Sequence, residues 1–550
     1  MNILQFYSEI KTYSIRQIIA NSGDIFNKLF LPTIQRDFVW NEKRLISFFN
    51  SIYRGFPIGI ITLIKTSSEL PSYPFVGDIR REKGVDYYYV LDGQQRLTCL
   101  LALKEGWVIK RKKGDKYAPD EIKIPFVKID FQDIDNPIKR GSGIDLYKLL
   151  GYEEIFRKLY DEISDGIKPI IFSERERFLN YQIPFNIISI PEESSDKAFE
   201  LLSEMFVNLN KQGVVISNVQ IFLSFFLGKF SKGDIYEKIK INLLENYENK
   251  YGLKPEPIIR LIHYIIGGRQ FTFERFKNQV NKPYKIDDLN KNLENISKAI
   301  DFTMTLLNKE IGLSKNIVKR FLPSQNSLIP IFYYVYRNKL SDISKDSKKA
   351  MIRYFILSNL YSYFSGSVQN VLNNDLDDIR DSTSIDFPKK VEFSTTKRDI
   401  LGDYIEAEDA FDNITDSVRG RKNMLFLLYC LLYMNDADDW NNKNIKESNE
   451  LEVQHIFPAS YIEKLSNNNN YYIQHNNVFN LTIISREKNR ELSDSKPVDY
   501  IKNLSKQSLA RHFMPENFEI YNLDKDIHNY EKFIKDRKEL IWQAFQKYIM

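Results

Sequence analysis

Glu452-Val-Gln-His-Ile-Phe-Pro458, with Asn480 and Asn489 downstream, is the stretch on which the reading of this 550-residue chain turns. Leu451 to Phe457 has the alternation and apolar content of a short strand, Pro458 stops it, and the polar run through Asn467-Asn-Asn-Asn470 predicts a loop. Val478 to Ile484 predicts a second strand carrying Asn480, and Ser485 predicts the cap of a helix from about Arg486, with Asn489 one turn in. The expected order is β-β-α. Histidine, with an unperturbed pKa of about 6.5, can take a proton from water at neutral pH. Mg²⁺ needs few protein ligands and keeps waters that a phosphate can displace. Phosphodiester hydrolysis needs both a base and a cation. A lone strand histidine is more often a hydrogen-bonded structural residue, and asparagines abound here. Order, spacing and setting together favour a nuclease site.

These residues resemble the HNH, or His-Me finger, nucleases, and more closely the C-terminal domain of the GmrSD-type modification-dependent (type IV) restriction endonucleases. The resemblance rests on His455-Ile-Phe-Pro458, Asn480-Leu-Thr482, and Asn489 followed by Leu492, Ser493 and Lys496-Pro497. It implies His455 as general base, Asn480 as the residue that holds the hairpin and orients the histidine, and Asn489 on the side of a bound Mg²⁺ or Mn²⁺. Many HNH enzymes carry an acidic metal ligand just before the histidine. This chain has Gln454 there, a neutral donor, and Glu452, on the same strand face, is the candidate to supply the missing charge.

A second signal lies near the other end. Leu91-Asp-Gly-Gln-Gln-Arg-Leu-Thr98 follows a strand-like run from Asp86 and leads into a helical pattern through Leu97, Leu100, Leu101 and Leu103. A strand turning through glycine into a helix presents free N–H groups and the positive end of a dipole, with Arg96 placed to fork onto a phosphate. An ordinary helix capped by Asp92 fits the same residues. With Pro32-Thr-Ile-Gln-Arg-Asp-Phe-Val-Trp40 before it and Phe206-Val-Asn-Leu-Asn-Lys-Gln-Gly213 after it, the box is similar to the N-terminal domain of the same family, itself ParB- and sulfiredoxin-like. That implies nucleotide (NTP) binding and hydrolysis at Asp92, Gly93, Gln94, Gln95 and Arg96, with Gln35 and Arg36 as neighbours, and sensing of modified DNA. Asn208, Asn210 and Gly213 fit better as structural residues. The chain has no Gly-x-x-x-x-Gly-Lys-Ser/Thr loop, which argues against a P-loop NTPase.

The expected fold class is α+β and multidomain: a ParB-like α/β domain over residues 1–193, a helical middle domain with a polar connection over 194–411, and a ββα-metal HNH nuclease domain over 412–550. Within these, helices are expected at Ile15 to Phe30, Asn218 to Phe230 and Tyr530 to Tyr548, a strand at Lys123 to Ile129, and an extended connection from Gly366 to about Phe411. The 78 basic and 73 acidic side chains leave a net charge of +5, so a DNA-binding groove must come from segregation of charge on the surface. Lys110-Arg-Lys-Lys113, Arg419-Gly-Arg-Lys422 and Arg486 to Arg490 are candidate contributors. Cys99 and Cys430 read as buried thiols. No signal peptide and no apolar run of about 20 residues is present, so a cytoplasmic protein with no membrane partner is expected.

The expected function is a nucleotide-regulated, metal-dependent DNA endonuclease acting on modified phage DNA. A homo-oligomer or a partner defence subunit stays open. The rival readings are a DNA-binding sensor or adaptor with a degenerate nuclease fold, and an RNA-cleaving toxin.

Overall fold

Six strands make the main sheet of the N-terminal half: β1 (Tyr7–Ser14), β2 (Leu29–Pro32), β3 (Ile61–Thr66), β4 (Ser72–Pro74), β5 (Tyr87–Asp92) and β6 (Gln182–Ser189). Their spatial order is β1-β6-β3-β5-β2-β4. This computed structural model describes residues 7–20, 24–32, 35, 38–104, 106–110, 121–131, 137–141, 143–191, 195–211, 238–269, 271, 283–338, 340–382, 386–387, 418–441, 443–447, 450–469, 474–493 and 495–549. The sheet is mixed, with β6 parallel to β3 and β2 parallel to β5, and the other neighbours antiparallel. β3 and β5 are central and buried on both faces, and β5 shows this in its apolar run Tyr87 to Leu91. Helices α1 (Ile15–Ile19), α2 (Glu42–Tyr53) and α3 (Gln94–Ala102) pack Ile15, Leu45, Phe49, Leu97 and Leu100 into one core with Ile61, Leu63, Val90 and Ile187.

Two expectations for this half are corrected. In place of one helix over Ile15 to Phe30, α1 stops at Ile19, and Leu29-Phe-Leu enters the sheet as β2. A short apolar run does not by itself distinguish helix from buried strand. The single strand expected over Lys123 to Ile129 is two, Glu121–Lys123 and Lys128–Ile129, with Pro125 between them unable to donate to a ladder. The expected helix over Asn218 to Phe230 lies outside the described residues.

The chain folds as two compact units, residues 1–236 and 237–550. The second begins with helices, including Pro255–Ile265, α4 (Pro283–Ile311), α5 (Lys315–Arg320), Leu328–Arg337 and Lys345–Leu360. Val368–Asp381 is a further helix where an extended connection was expected. Its Val371, Leu372, Leu376 and Ile379 recur at helical spacing and are buried, which outweighs the Asp-rich composition. The remainder of that expected connection, apart from 386–387, lies outside the described residues. Asp375, at its centre, is fully buried and accepts the Tyr354 hydroxyl at 2.6 Å and the Tyr363 hydroxyl at 2.8 Å.

The same unit ends in a smaller module: β7 (Leu451–His455), β8 (Leu481–Ser485), α7 (Arg486–Leu492) and the tail helix α8 (Asn529–Tyr548). The apolar helix α6 (Val418–Met434) packs against α4, Lys345–Leu360, β8 and α8, so it joins the helical part to the strands. Tyr429 fixes one end by donating to the Gly312 carbonyl at 2.7 Å, and Asn423 the other by donating to Leu360 O at 2.9 Å. Cys99 and Cys430 are buried free thiols whose pKa burial pushes up. Among the described residues no helix is long and apolar enough to cross a membrane.

Candidate active site

β7 and β8 pair antiparallel from Leu451↔Ser485 to His455↔Leu481, and the chain passes directly from β8 into α7. Ser485 caps that helix by accepting the Lys488 N–H at 3.3 Å, as its sequence position predicts. The segment between the strands departs from expectation: Ala459–Asn469 is helical, not a loop. Tyr461 and Ile462 pack into the module's core on that helix and Leu465 packs against it, and this apolar spacing prevails over the terminal asparagines. Asn480 ends a 3-10 turn (Val478–Asn480) immediately before β8.

Asn480 is fully buried and its carboxamide is saturated. Oδ1 accepts the Phe457 N–H, and Nδ2 donates to both Phe457 O and His475 O, all at 2.9 Å. It thereby pins the turn after His455 to the segment that carries His475. His455 itself is half-buried at the end of β7, and its Nε2 lies 3.0 Å from Asn476 Oδ1. Asn476 Nδ2 in turn faces His475 Nε2 at 2.9 Å. An amide oxygen only accepts, so this Asn476 contact fits the tautomer with the hydrogen on His455 Nε2, in which Nδ1 would be the ring's acceptor. Asn480 therefore acts on the histidine through backbone, with no side-chain bond to the ring.

Glu452 and Gln454 lie on the strand face opposite His455, because adjacent strand residues alternate. Glu452 Oε2 accepts Asn489 Nδ2 at 2.9 Å, and Oε1 accepts Arg486 Nε at 2.8 Å. The hydrogen bonds from Asn489 and Arg486, with the charges of Arg486 and Arg320, hold the Glu452 carboxyl below its usual range, so it is ionised at neutral pH. Gln454 is buried, at 6% exposure. Of the three metal candidates the structure thus brings Glu452 and Asn489 into contact. A hard cation such as Mg²⁺ commonly takes one or two carboxylates and completes its shell with water and substrate phosphate. One ionised carboxylate with lone pairs to spare, beside an asparagine whose NH₂ is already used and whose amide oxygen remains, fits that requirement. Among the described residues no group of three or more His, Cys, Asp and Glu converges as a self-sufficient metal cage.

Three residues outside the sequence-derived candidates, His512 among them as a histidine without catalytic surroundings in the sequence, build the support. Arg537 of α8 is fully buried, and its Nη1 donates to Phe479 O at 2.5 Å and Leu481 O at 2.7 Å, the carbonyls on either side of Asn480. Its Nη2 donates to His512 O at 3.3 Å, and burial lowers the guanidinium pKa to about 9. His512 is buried between Thr482 Oγ1 and Asp438 O, at 2.7 Å from each, and burial lowers its pKa to about 4, so the ring stays neutral. Tyr500 donates to Ile456 O at 2.6 Å. A signal for Arg537 existed: it interrupts the apolar stripe Phe533, Ile541, Phe545 on the tail helix, where a charge must find buried acceptors.

In the N-terminal unit the box folds as a strand-to-helix corner. A register shift between Thr62 and Leu63 in the β3–β5 ladder brings Thr62 opposite Asp92. Gly93, not Asp92, is the cap of α3, with φ +89°, and a Cβ there would stand 2.9 Å from Ile61 Cγ1, so the position requires glycine. Asp92 instead lies 3.3 Å from Arg96 Nη2. Arg96 also donates to Ile58 O at 2.6 Å and Ile60 O at 3.1 Å, while Gln95 accepts the Val39 N–H at 2.9 Å. Gln35 donates to Val90 O and Leu91 O at 3.0 and 2.9 Å. Gln94 and Gln95 are buried. Asp92 and Arg96 thus bond each other, while Gln35 and Gln95 bond backbone groups of Val90, Leu91 and Val39 around the same corner. Arg36 and Gly213 lie outside the described residues, and of Asn208 and Asn210 only their place in the helix Ser195–Lys211 is described.

Comparison with known proteins gives two findings. The chain is 22% identical to the uncharacterized protein MJ0686 of Methanocaldococcus jannaschii, over 94% of this chain and 96% of that one. Residues 15–227 match the family model described as GmrSD restriction endonuclease, N-terminal domain, a range that contains the Asp92–Arg96 corner and ends well before His455. The match supports the GmrSD-type restriction endonucleases as the family to which this chain is similar.

Proposed function

We propose that the protein is a divalent-metal-dependent DNA endonuclease of the modification-dependent restriction type, regulated by a nucleotide and acting against invading DNA such as that of phage. The family match over residues 15–227 supports the restriction class and a DNA substrate. The observation that carries the catalytic reading is the half-buried imidazole of His455 at the end of β7, held by Asn476; the ionised Glu452, bonded to Asn489, lies on the other face of the same strand, so base and cation candidates are linked through the strand and not by side-chain contact. His455 takes the proton of the attacking water at Nδ1, Asn476 fixes the ring through Nε2, and Asn480 and Arg537 hold the backbone that aims it. Glu452 and Asn489, with Gln454 on the same strand face, would hold Mg²⁺ or Mn²⁺, which when bound supplies stabilisation of charge on the scissile phosphate. The nucleotide is assigned to the Asp92–Arg96 corner with Gln35, and to Arg36 by its position in the sequence alone.

The test is to incubate purified protein with phage DNA carrying different base modifications, with unmodified DNA and with RNA, supplying each NTP and divalent metal in turn. Cutting confined to modified DNA and dependent on metal and NTP is expected; cutting of RNA alone overturns the reading. One observation favours a second reading, a DNA-binding sensor with a structural nuclease fold: the Glu452 carboxylate is already ion-paired with Arg486. DNA binding without cutting under every condition selects that reading.

A further inference from the structure

A cleft of about 310 Å³ opens in the second unit between the end of α4, α5 and the end of α6, and Leu451, the first residue of β7, is part of its wall. Its lining includes three cations, Lys315, Arg320 and Lys446, and no carboxylate. Arg320 and Lys446 are exposed, and Lys319, beside them on α5, is exposed as well. Asp436, outside the lining, pairs with Lys446 and offsets its charge, and Glu310 lies within electrostatic reach of Tyr433, so the positive charge of the wall rests on Lys315 and Arg320.

The cleft is also built, not incidental. Gly312, at φ +69°, has no room for a side chain: a Cβ would fall 2.3 Å from the Tyr433 ring and 2.4 Å from the Tyr429 hydroxyl. Tyr433 donates to Asn308 O at 3.1 Å, which holds its half-buried ring at the cleft, with Lys446 4.8 Å from the ring centroid. Arg320 Nη1 donates to Leu451 O at 2.7 Å. Arg320 is thereby tied to the strand that carries Glu452 and His455.

We propose that this cleft is a nucleic-acid subsite that holds one nucleotide of the strand being cut, with its phosphate on Lys315, Arg320 and Lys446 and its ring against Tyr433. The proposal rests on the endonuclease reading of β7 and deepens it. The chemistry is complementary: a volume at the small end of ligand pockets suits one nucleotide, phosphates are bound mainly by Lys and Arg, and movement of Lys446 from over the Tyr433 ring onto a phosphate would free that face for a base. Its continuity with the start of β7 places that nucleotide on the strand that carries Glu452 and His455, not at a remote docking patch.

The experiment measures binding of a fluorescent DNA oligonucleotide to the full-length protein in EDTA, across a salt series. The Lys315→Gln/Lys446→Gln double variant is compared with wild type and with Lys532→Gln/Lys535→Gln on the exposed side of α8. Each lost phosphate contact removes about 0.9 from the slope of log K against log salt on duplex DNA. The cleft variant, which loses the hold on that one phosphate, should therefore lose about 0.9 in slope and bind at least about tenfold more weakly at low salt, with an unchanged melting temperature. The α8 variant should match wild type. If the cleft variant binds and cuts as wild type does while His455→Ala fails to cut, the cleft assignment is wrong and the endonuclease reading stands. If wild type neither binds nor cuts any nucleic acid, both are wrong.

Discussion

Replacing Asn480 with alanine removes three hydrogen bonds from a fully buried position. Two of them serve Phe457, whose amide and carbonyl then lie buried without partners, since that residue is 1% exposed. Each orphaned group costs about 1–3 kcal/mol, giving about 2–6 kcal/mol for the pair. The third acceptor belongs to half-exposed His475, which water reaches, and adds little. The assay is hydrogen exchange on the Phe457 amide. At about 1.4 kcal/mol per tenfold change, local protection should fall by roughly 30-fold to 20,000-fold. Asn480→Asp keeps an acceptor for the Phe457 N–H but turns oxygen against two carbonyls, so it should fall between alanine and wild type at low pH, where the carboxyl is protonated. Unchanged protection of Phe457 in Asn480→Ala would refute the reasoning that this side chain holds the turn beside His455.

Glu452→Gln removes the one carboxylate offered to a cation and should raise the Mg²⁺ concentration that half-saturates cleavage by at least about tenfold; an unchanged metal titration rejects Glu452 as a ligand. Asp375, raised to about 7 by burial despite donors from Tyr354 and Tyr363, keeps its proton in the folded state while the unfolded carboxyl, near 3.9, has lost it. Its contribution is thus fullest below about pH 4 and is lost as pH rises through about 7. The stability difference between Asp375→Asn and wild type should therefore shift by about 3 kcal/mol in the variant's favour from pH 5 to pH 8, and parallel pH curves would contradict this. Gly93→Ala should destabilise the N-terminal unit by about 2 kcal/mol or more, through left-handed strain and the clash with Ile61; an unchanged melting temperature argues against the glycine requirement.

The strands around His455 were legible because their cues are local: alternation in Leu451–His455, Pro458 as a stop and Ser485 as a cap. The helix at Ala459–Asn469 was hidden by its polar end, and β2 by an apolar run that reads equally as helix. Arg537 could not be placed from sequence, since its acceptors Phe479 and Leu481 lie 58 and 56 residues away. The bonds of Arg96 to Ile58 and Ile60 are of the same kind: the box suggested an open guanidinium, whereas the fold engages it with carbonyls from another strand's approach. Tertiary acceptors for a charged side chain are set by packing, not by neighbours in sequence.

The most direct measurement is metal-supported cleavage of modified phage DNA by wild-type protein and by His455→Ala at equal concentration, with DNA binding measured in parallel. Wild type is expected to cut, and His455→Ala to bind equally but cut at least about a hundredfold more slowly, the contribution of a positioned general base. Equal cutting by the two proteins would contradict the assignment of His455 as the base.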